Sequence, residues 1–133
     1  MKANDVEYII VHCSDSPQGR GDGAGQIHNW HTERGWDGIG YHYVITEDGT
    51  CQNGRPLYWQ GAHAGAAYNG KSIGICLIGE GTYTLEQWST LETLVGYLDG
   101  LFVNALVVGH NDLDKHKTCP LFDVKEWYKG CGK

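Results

Sequence analysis

Gly109-His110-Asn111-Asp112-Leu113-Asp114-Lys115-His116-Lys117-Thr118-Cys119-Pro120 sets two imidazoles, two ammonium groups and a thiol within twelve residues. It follows directly on the apolar run Ala105-Leu106-Val107-Val108. A run of that length between polar residues reads as a buried strand delivering the loop to a sheet edge. Far upstream a second apolar run, Tyr8-Ile9-Ile10-Val11, ends in His12-Cys13-Ser14-Asp15. Imidazole and thiolate both bind zinc, each after losing a proton. Two such strands lying side by side bring His12, His110 and Cys119 to one point, and the rest of the chain is read around that convergence.

The bulk properties narrow the field. At 133 residues the chain is expected to be one domain, 1–133, long enough to bury roughly two thirds of its unfolded surface. A hydrophobic content of 41% fits a packed core, and a net charge of −6 argues against a nucleic-acid partner. No apolar run approaches the ~20 residues of a membrane span, so no membrane insertion is expected. The opening Met1-Lys2-Ala3-Asn4-Asp5-Val6-Glu7 is unlike a signal peptide, because acids interrupt it and no long apolar segment follows. The expectation is a protein made in the cytoplasm, needing another export route for any work outside. The five cysteines are odd in number and without paired spacing, which reads as reduced thiols, with Cys76 a small core residue.

In chain order, residues 6–13 read as a central strand. Residues 19–25 are too glycine-rich for regular structure, and no Gly-Lys-Ser/Thr closes them as a phosphate loop. Gln26 to Arg34 sets Ile27, Trp30 and His31 on one helical face, with Gly35 as the stop. His31 there is read as a hydrogen-bonded core histidine rather than a ligand with His28. Residues 38–46 read as a strand with Tyr41, Tyr43 and Ile45 on one face, followed by an Asp48-Gly49 turn and a return through Cys51-Gln52-Asn53. Ser72 to Gly79 reads as another buried strand. Thr84-Leu85-Glu86-Gln87 has the form of a capping box. The helix it opens carries Leu85, Trp88, Leu91, Leu94, Val95, Leu98 and Leu101 as a core-facing stripe. A last helix starts near Asp123 and ends at Gly130. Strands interleaved with helices predict an α/β fold, a single central mixed sheet flanked by helices.

Three protein ligands with a fourth position open is the arrangement of a catalytic zinc. Zinc lowers the pKa of a bound water to about 7, and attack by the resulting hydroxide on a carbonyl makes an oxyanion that nearby donors stabilise. Lys117, two residues before Cys119, is near such a metal by chain geometry, and Tyr41 reaches the same rim from the start of its strand. Spacing alone leaves rivals open: His116 with Cys119 as a local pair, and Cys13 beside His12.

Several blocks in order resemble one family. Val11-His12-Cys13-Ser14 is similar to its first ligand strand, and the run from Trp30-His31-Thr32 to Gly40-Tyr41-His42 is similar to its helix-to-strand signature. His63-Ala64-Gly65 with Asn69 and Ser72-Ile73-Gly74 resembles the next block. Gly109-His110-Asn111 and Lys117-Thr118-Cys119-Pro120 complete it. The family is the zinc-dependent N-acetylmuramoyl-L-alanine amidases of phage-lysozyme type, which share their fold with animal peptidoglycan recognition proteins. The resemblance implies one Zn2+ per chain on His12, His110 and Cys119, catalytic Tyr41 and Lys117, and His63 lining the substrate groove. It passes over His116 as a ligand. It implies peptidoglycan as substrate, cut between the lactyl group of N-acetylmuramic acid and L-alanine. No facing acidic pair of the kind that cuts sugar bonds stands out.

The family's non-catalytic binding modules lose the cysteine ligand, and this chain has Cys119. A hydrolase is therefore expected, with a peptidoglycan-binding module as the alternative. Inhibition of a phage RNA polymerase is a third, added role; in the family it is associated with a longer N-terminal segment, where this chain has only Met1 to Val6 before the first strand. The glycine-rich residues 19–25 also depart from the type member. The expected setting is a monomeric phage or prophage endolysin, made in the host cytoplasm and reaching the wall after holin-type permeabilisation.

Overall fold

The computed structural model describes residues 1–132. Five strands form one sheet: β1 (Tyr8–Cys13), β2 (Tyr43–Ile45), β3 (Cys51–Asn53), β4 (Ser72–Leu77) and β5 (Leu106–Gly109), in the order β3-β2-β4-β1-β5. β3 runs antiparallel to β2, and every other pairing is parallel. The mixed sheet expected from the sequence is present. β1 and β4 lie in its middle and are covered on both faces, which is why each reads as a continuous apolar run rather than an alternating one.

Alternation along the strands sorts side chains between two layers. Ile9, Val11, Ile45, Ile73, Ile75 and Leu77 join one buried cluster, closed by α3 (Leu85–Leu101) and α5 (Val124–Gly130). Val44 and Cys76 face the other way, packing with Ile27 of α1 (Ala24–Glu33), Ile39 and Ile78. His12 is the register partner of Cys76, so it shares this second, thinner face. A short α2 (Ala66–Asn69) precedes β4, and α4 (His110–Leu113) begins where β5 ends. The glycine-rich stretch lies against the β2–β3 turn, where the Gly19 amide donates to Glu47 Oε1 at 2.7 Å.

Both ends of α3 are set by local chemistry and by the helical angle. Thr84 Oγ1 accepts from the Gln87 amide at 3.1 Å, and Gln87 Oε1 accepts from the Thr84 amide at 3.0 Å, completing the capping box. Leu91, Val95 and Leu98 are fully buried as expected, but Leu85 is 83% exposed and Leu101 40%. At about 100° per residue, Leu85 stands roughly 120° around the helix from Leu91. The inward position at that level belongs to Gln87, a polar residue with no exposed surface. Its amide nitrogen donates to the carbonyls of Ile78 at 2.8 Å and Ile45 at 3.3 Å, tying the helix to the ends of β4 and β2.

Two further expectations are corrected. β5 is an edge strand rather than a fully buried one; Leu106 is 62% exposed, while Val108 is buried. The strand expected over 38–46 shrinks to Tyr43–Ile45. Its lead-in is irregular because side chains take the backbone amides: Ile39 donates to His28 Nδ1 at 3.2 Å and Gly40 to His31 Nδ1 at 2.9 Å. The Gly40 backbone also runs so close to Ala62 that a Cβ there would lie 2.0 Å from the Ala62 carbonyl oxygen. Tyr41 therefore leaves the face of Tyr43 and packs against the α1-side cluster.

These features set two tests. Replacing Gln87 by Met keeps its bulk and strands the Ile78 carbonyl, while that of Ile45 keeps the Ile78 amide at 3.0 Å; Gln87→Met should cost about 1–3 kcal/mol in urea unfolding, while Leu85→Ala should stay within about 0.5 kcal/mol. His31 accepts a backbone N–H and so must be neutral; burial, then the charges of Arg34, Arg55 and His28, lower its pKa to about 4. Above pH ~6.5 the imidazole is neutral in both folded and unfolded chains. Below that the unfolded chain takes up a proton that the folded one refuses, so stability drains as pH falls toward about 4. Urea midpoints between pH 7 and 4.5 should fall less steeply in His31→Gln, which keeps an acceptor and does not titrate.

Candidate active site

The site is assembled by strand pairing. β1 and β5 run parallel with Val11 opposite Gly109, so the next residue along each strand is a histidine, His12 on one and His110 on the other. Their rings stand 4.6 Å apart, centroid to centroid. The third group returns on the loop after α4. Asn111 laces that loop, its amide donating to the Cys119 carbonyl at 2.9 Å and its side-chain nitrogen to the carbonyls of Thr118 and Phe122, each at 3.3 Å. Cys119 Sγ then lies 3.9 Å from His12 Nδ1 and 3.7 Å from His110 Nδ1. The three donor atoms lie within 4.8 Å of one another, the one group of three such ligands among the described residues. His116 stays outside it, exposed on the loop, with its amide held by Asp114 Oδ1 at 2.9 Å.

The electrostatics of the two imidazoles match a ligand role. Burial, followed by the neighbouring His63 and His110 rings, drives the His12 pKa well below its ordinary value. Burial and then the Lys117 ammonium lower that of His110. Both imidazoles are thus held neutral, the form in which a ring nitrogen offers a lone pair. Cys119 also meets the Cys13 thiol. That hydrogen bond draws the Cys13 pKa down to about 7, while the same bond and burial push Cys119 up, so the pair carries one thiolate at a time.

These groups floor a cleft of about 780 Å³, whose lining includes Arg34, Trp36, Tyr41, His63 and Lys117. The Tyr41 ring stands 5.2 Å from that of His12. Burial raises its pKa well above the ordinary phenol value, and the Cys76, Cys119 and Cys13 sulfurs add to this, so Tyr41 keeps its proton and remains a donor. Lys117 is exposed at the cleft edge.

His63 also lines the cleft, with its Nδ1 2.9 Å from His12 Nε2. Its Nε2 is 3.2 Å from Ser72 Oγ, and Asn69 Oδ1 accepts from the His63 and Ala64 amides at 3.0 and 2.9 Å. Sequence reasoning had no role for Ser72 or Asn69 in the site and held Cys13 only as a rival ligand beside His12. The available signal was a serine opening an otherwise apolar strand; the contact between Cys13 and Cys119 had none, since alternation turns Cys13 away from His12.

Comparison with known proteins agrees with this geometry. The model of the N-acetylmuramoyl-L-alanine amidase family matches residues 2–121. The endolysin of Escherichia phage T7 is 36% identical over 132 residues, covering 93% of this chain and 86% of its own. Among solved structures, the N-acetylmuramoyl-L-alanine amidase LysC from Clostridium intestinale superposes with a TM-score of 0.84 at 28% identity, over 98% of this chain and 89% of that one. Drosophila PGRP-LB, solved as a mutant in complex with tracheal cytotoxin, superposes with a TM-score of 0.74 at 28% identity, over 86% and 75% of the two chains. With His12, His110 and Cys119 gathered at paired strand ends beneath an open cleft, the chain belongs to the N-acetylmuramoyl-L-alanine amidase family.

Proposed function

We propose that the chain is a zinc-dependent amidase that cuts peptidoglycan between the lactyl group of N-acetylmuramic acid and L-alanine, and that it serves as an endolysin. The observation carrying this is the donor set: two neutral imidazoles and a thiol within 4.8 Å of one another, opening on a cleft rather than sealed in the core. Two nitrogens and one sulfur suit zinc, and three protein donors leave a position for chemistry. Carboxylates are absent from this donor set, which disfavours the hard cations that prefer oxygen. When bound, zinc supplies Lewis acidity, making water a nucleophile at neutral pH.

The remaining work falls to the chain itself. Attack on an amide puts negative charge on its oxygen, and two proton-bearing groups line the same cleft: the Tyr41 phenol and the Lys117 ammonium. Fixed donors of this kind stabilise an oxyanion most where water is partly excluded. The Arg34 guanidinium lies over the Trp36 ring, 5.7 Å from its centroid, and both line the cleft, giving a flat cationic wall to an extended polar substrate. The endolysin setting is supported by the phage relatives; no helix among the described residues is long and apolar enough to cross a membrane, so passage to the wall is assigned to permeabilisation of the membrane by another protein.

The purified protein should hold one zinc per chain, and its lysis of bacterial walls should stop with chelator and return with added zinc. Products should show new N-terminal alanine amines and no new reducing sugar ends. Cys119→Ser should lose both metal and lysis; full lysis by this variant would sink the assignment. Tyr41→Phe and Lys117→Ala should keep zinc yet lose on the order of 10²–10³ in rate, the usual cost of one oxyanion donor. His116→Ala should retain its zinc, and metal loss there would favour the local His116/Cys119 pair over His12.

A further inference from the structure

We propose that His63 is a positioning residue, fixing the tautomer of His12 so that Nδ1 presents its lone pair to the metal; this rests on the zinc reading above. The direction of the hydrogen-bond chain is set at its far end. Ser72 Oγ lies 2.8 Å from the Tyr68 carbonyl oxygen, which only accepts, so the hydroxyl hydrogen goes there. The Ser72 oxygen must then accept from His63 Nε2, 3.2 Å away. A neutral imidazole with its hydrogen on Nε2 has a bare Nδ1, and His63 Nδ1 accepts from His12 Nε2 at 2.9 Å. His12 is left with an unprotonated Nδ1, the atom that faces Cys119 Sγ. One proton arrangement satisfies all four groups, and it is the one a metal ligand requires.

The His63 ring is also seated for this task. A Cβ on Gly74 would lie 2.7 Å from its Cγ and Nδ1, and one on Gly61 would lie 2.5 Å from its Cδ2, so two glycines clear the space it occupies. Asn69 clamps the backbone on both sides of the Cα through the His63 and Ala64 amides. With both ring nitrogens bonded inside the protein, His63 acts on the reaction through His12 rather than through substrate.

The test reads metal affinity and tautomer, not lysis. Zinc affinity is measured by competition with a chromophoric chelator, and the His12 tautomer by nitrogen NMR of the metal-free protein. Metal-free wild type should show His12 protonated on Nε2. His63→Phe keeps an aromatic ring without nitrogens and should bind zinc about 10–100-fold more weakly, the usual cost of losing such an outer partner. Ser72→Ala releases His63 to take either tautomer, so the His12 signal should become mixed and affinity fall, while Ser72→Thr restores both. Wild-type zinc affinity in a folded His63→Phe, or His12 protonated on Nδ1 in wild type, overturns the proposal. Should His63→Phe fail to fold, the Ser72 pair and the wild-type spectrum decide alone. Wild type without zinc affinity would instead refute the zinc reading, leaving the tautomer measurement to report separately.

Discussion

The parallel pairing of β1 with β5 is the constraint on which everything else depends. With Val11 opposite Gly109, the residues that follow emerge together at the same end of the sheet. Parallel strands place their carboxyl ends side by side, and such ends are where open α/β sheets gather ligands. A slip of one residue would turn His12 into the α3-side core and bring Cys13 to the cleft. The register decides which layer each residue fills: Ile9, Val11, Ile73 and Ile75 pack in the α3-side cluster, and His12, beside Cys76, takes the thinner face that opens on the cleft.

The price of that arrangement is a set of backbone amides on the α1 side of the sheet that need side-chain partners, and histidines supply them, His31 and His42 from buried positions and His28 from an exposed one. His28, His31 and His42 accept the amides of Ile39, Gly40 and Gly74, at 3.2, 2.9 and 3.0 Å. A buried amide without a partner is costly, and a neutral imidazole is one of the few side chains that accepts a backbone N–H while filling aromatic volume. Three of the seven histidines thus have architectural work. Counting them would not have separated ligands from supports; their partners do.

How much of this was legible depended on whether a pattern was local. Continuous apolar runs marked β1 and β4, and the Thr84/Gln87 box and the Asp123 cap marked helix starts that the structure reproduces. The convergence of His12, His110 and Cys119 was legible because two apolar runs each end in a histidine. Tyr41 was placed on the wrong face because the strand was assumed to begin before it, and the acceptors that unmake its first residues sit nine to eleven positions upstream on α1. Gln87 was missed as a core residue because a glutamine closing a capping box reads as surface, although its angle along α3 points inward. The hydrogen-bond chain through His63, Ser72 and Tyr68 lies in no spacing rule at all.

His12 and Cys119 stand 107 positions apart in the chain, yet share one site. The site is therefore a late event in the life of the molecule. A ribosome must pass residue 119 before the thiol exists, and the strands and helices between must be organised before the thiol meets β1. Until then the growing chain holds His12 and His110 without the thiol that completes their donor set. By the order of its residues, the three-donor set stays incomplete until synthesis of the chain is nearly finished.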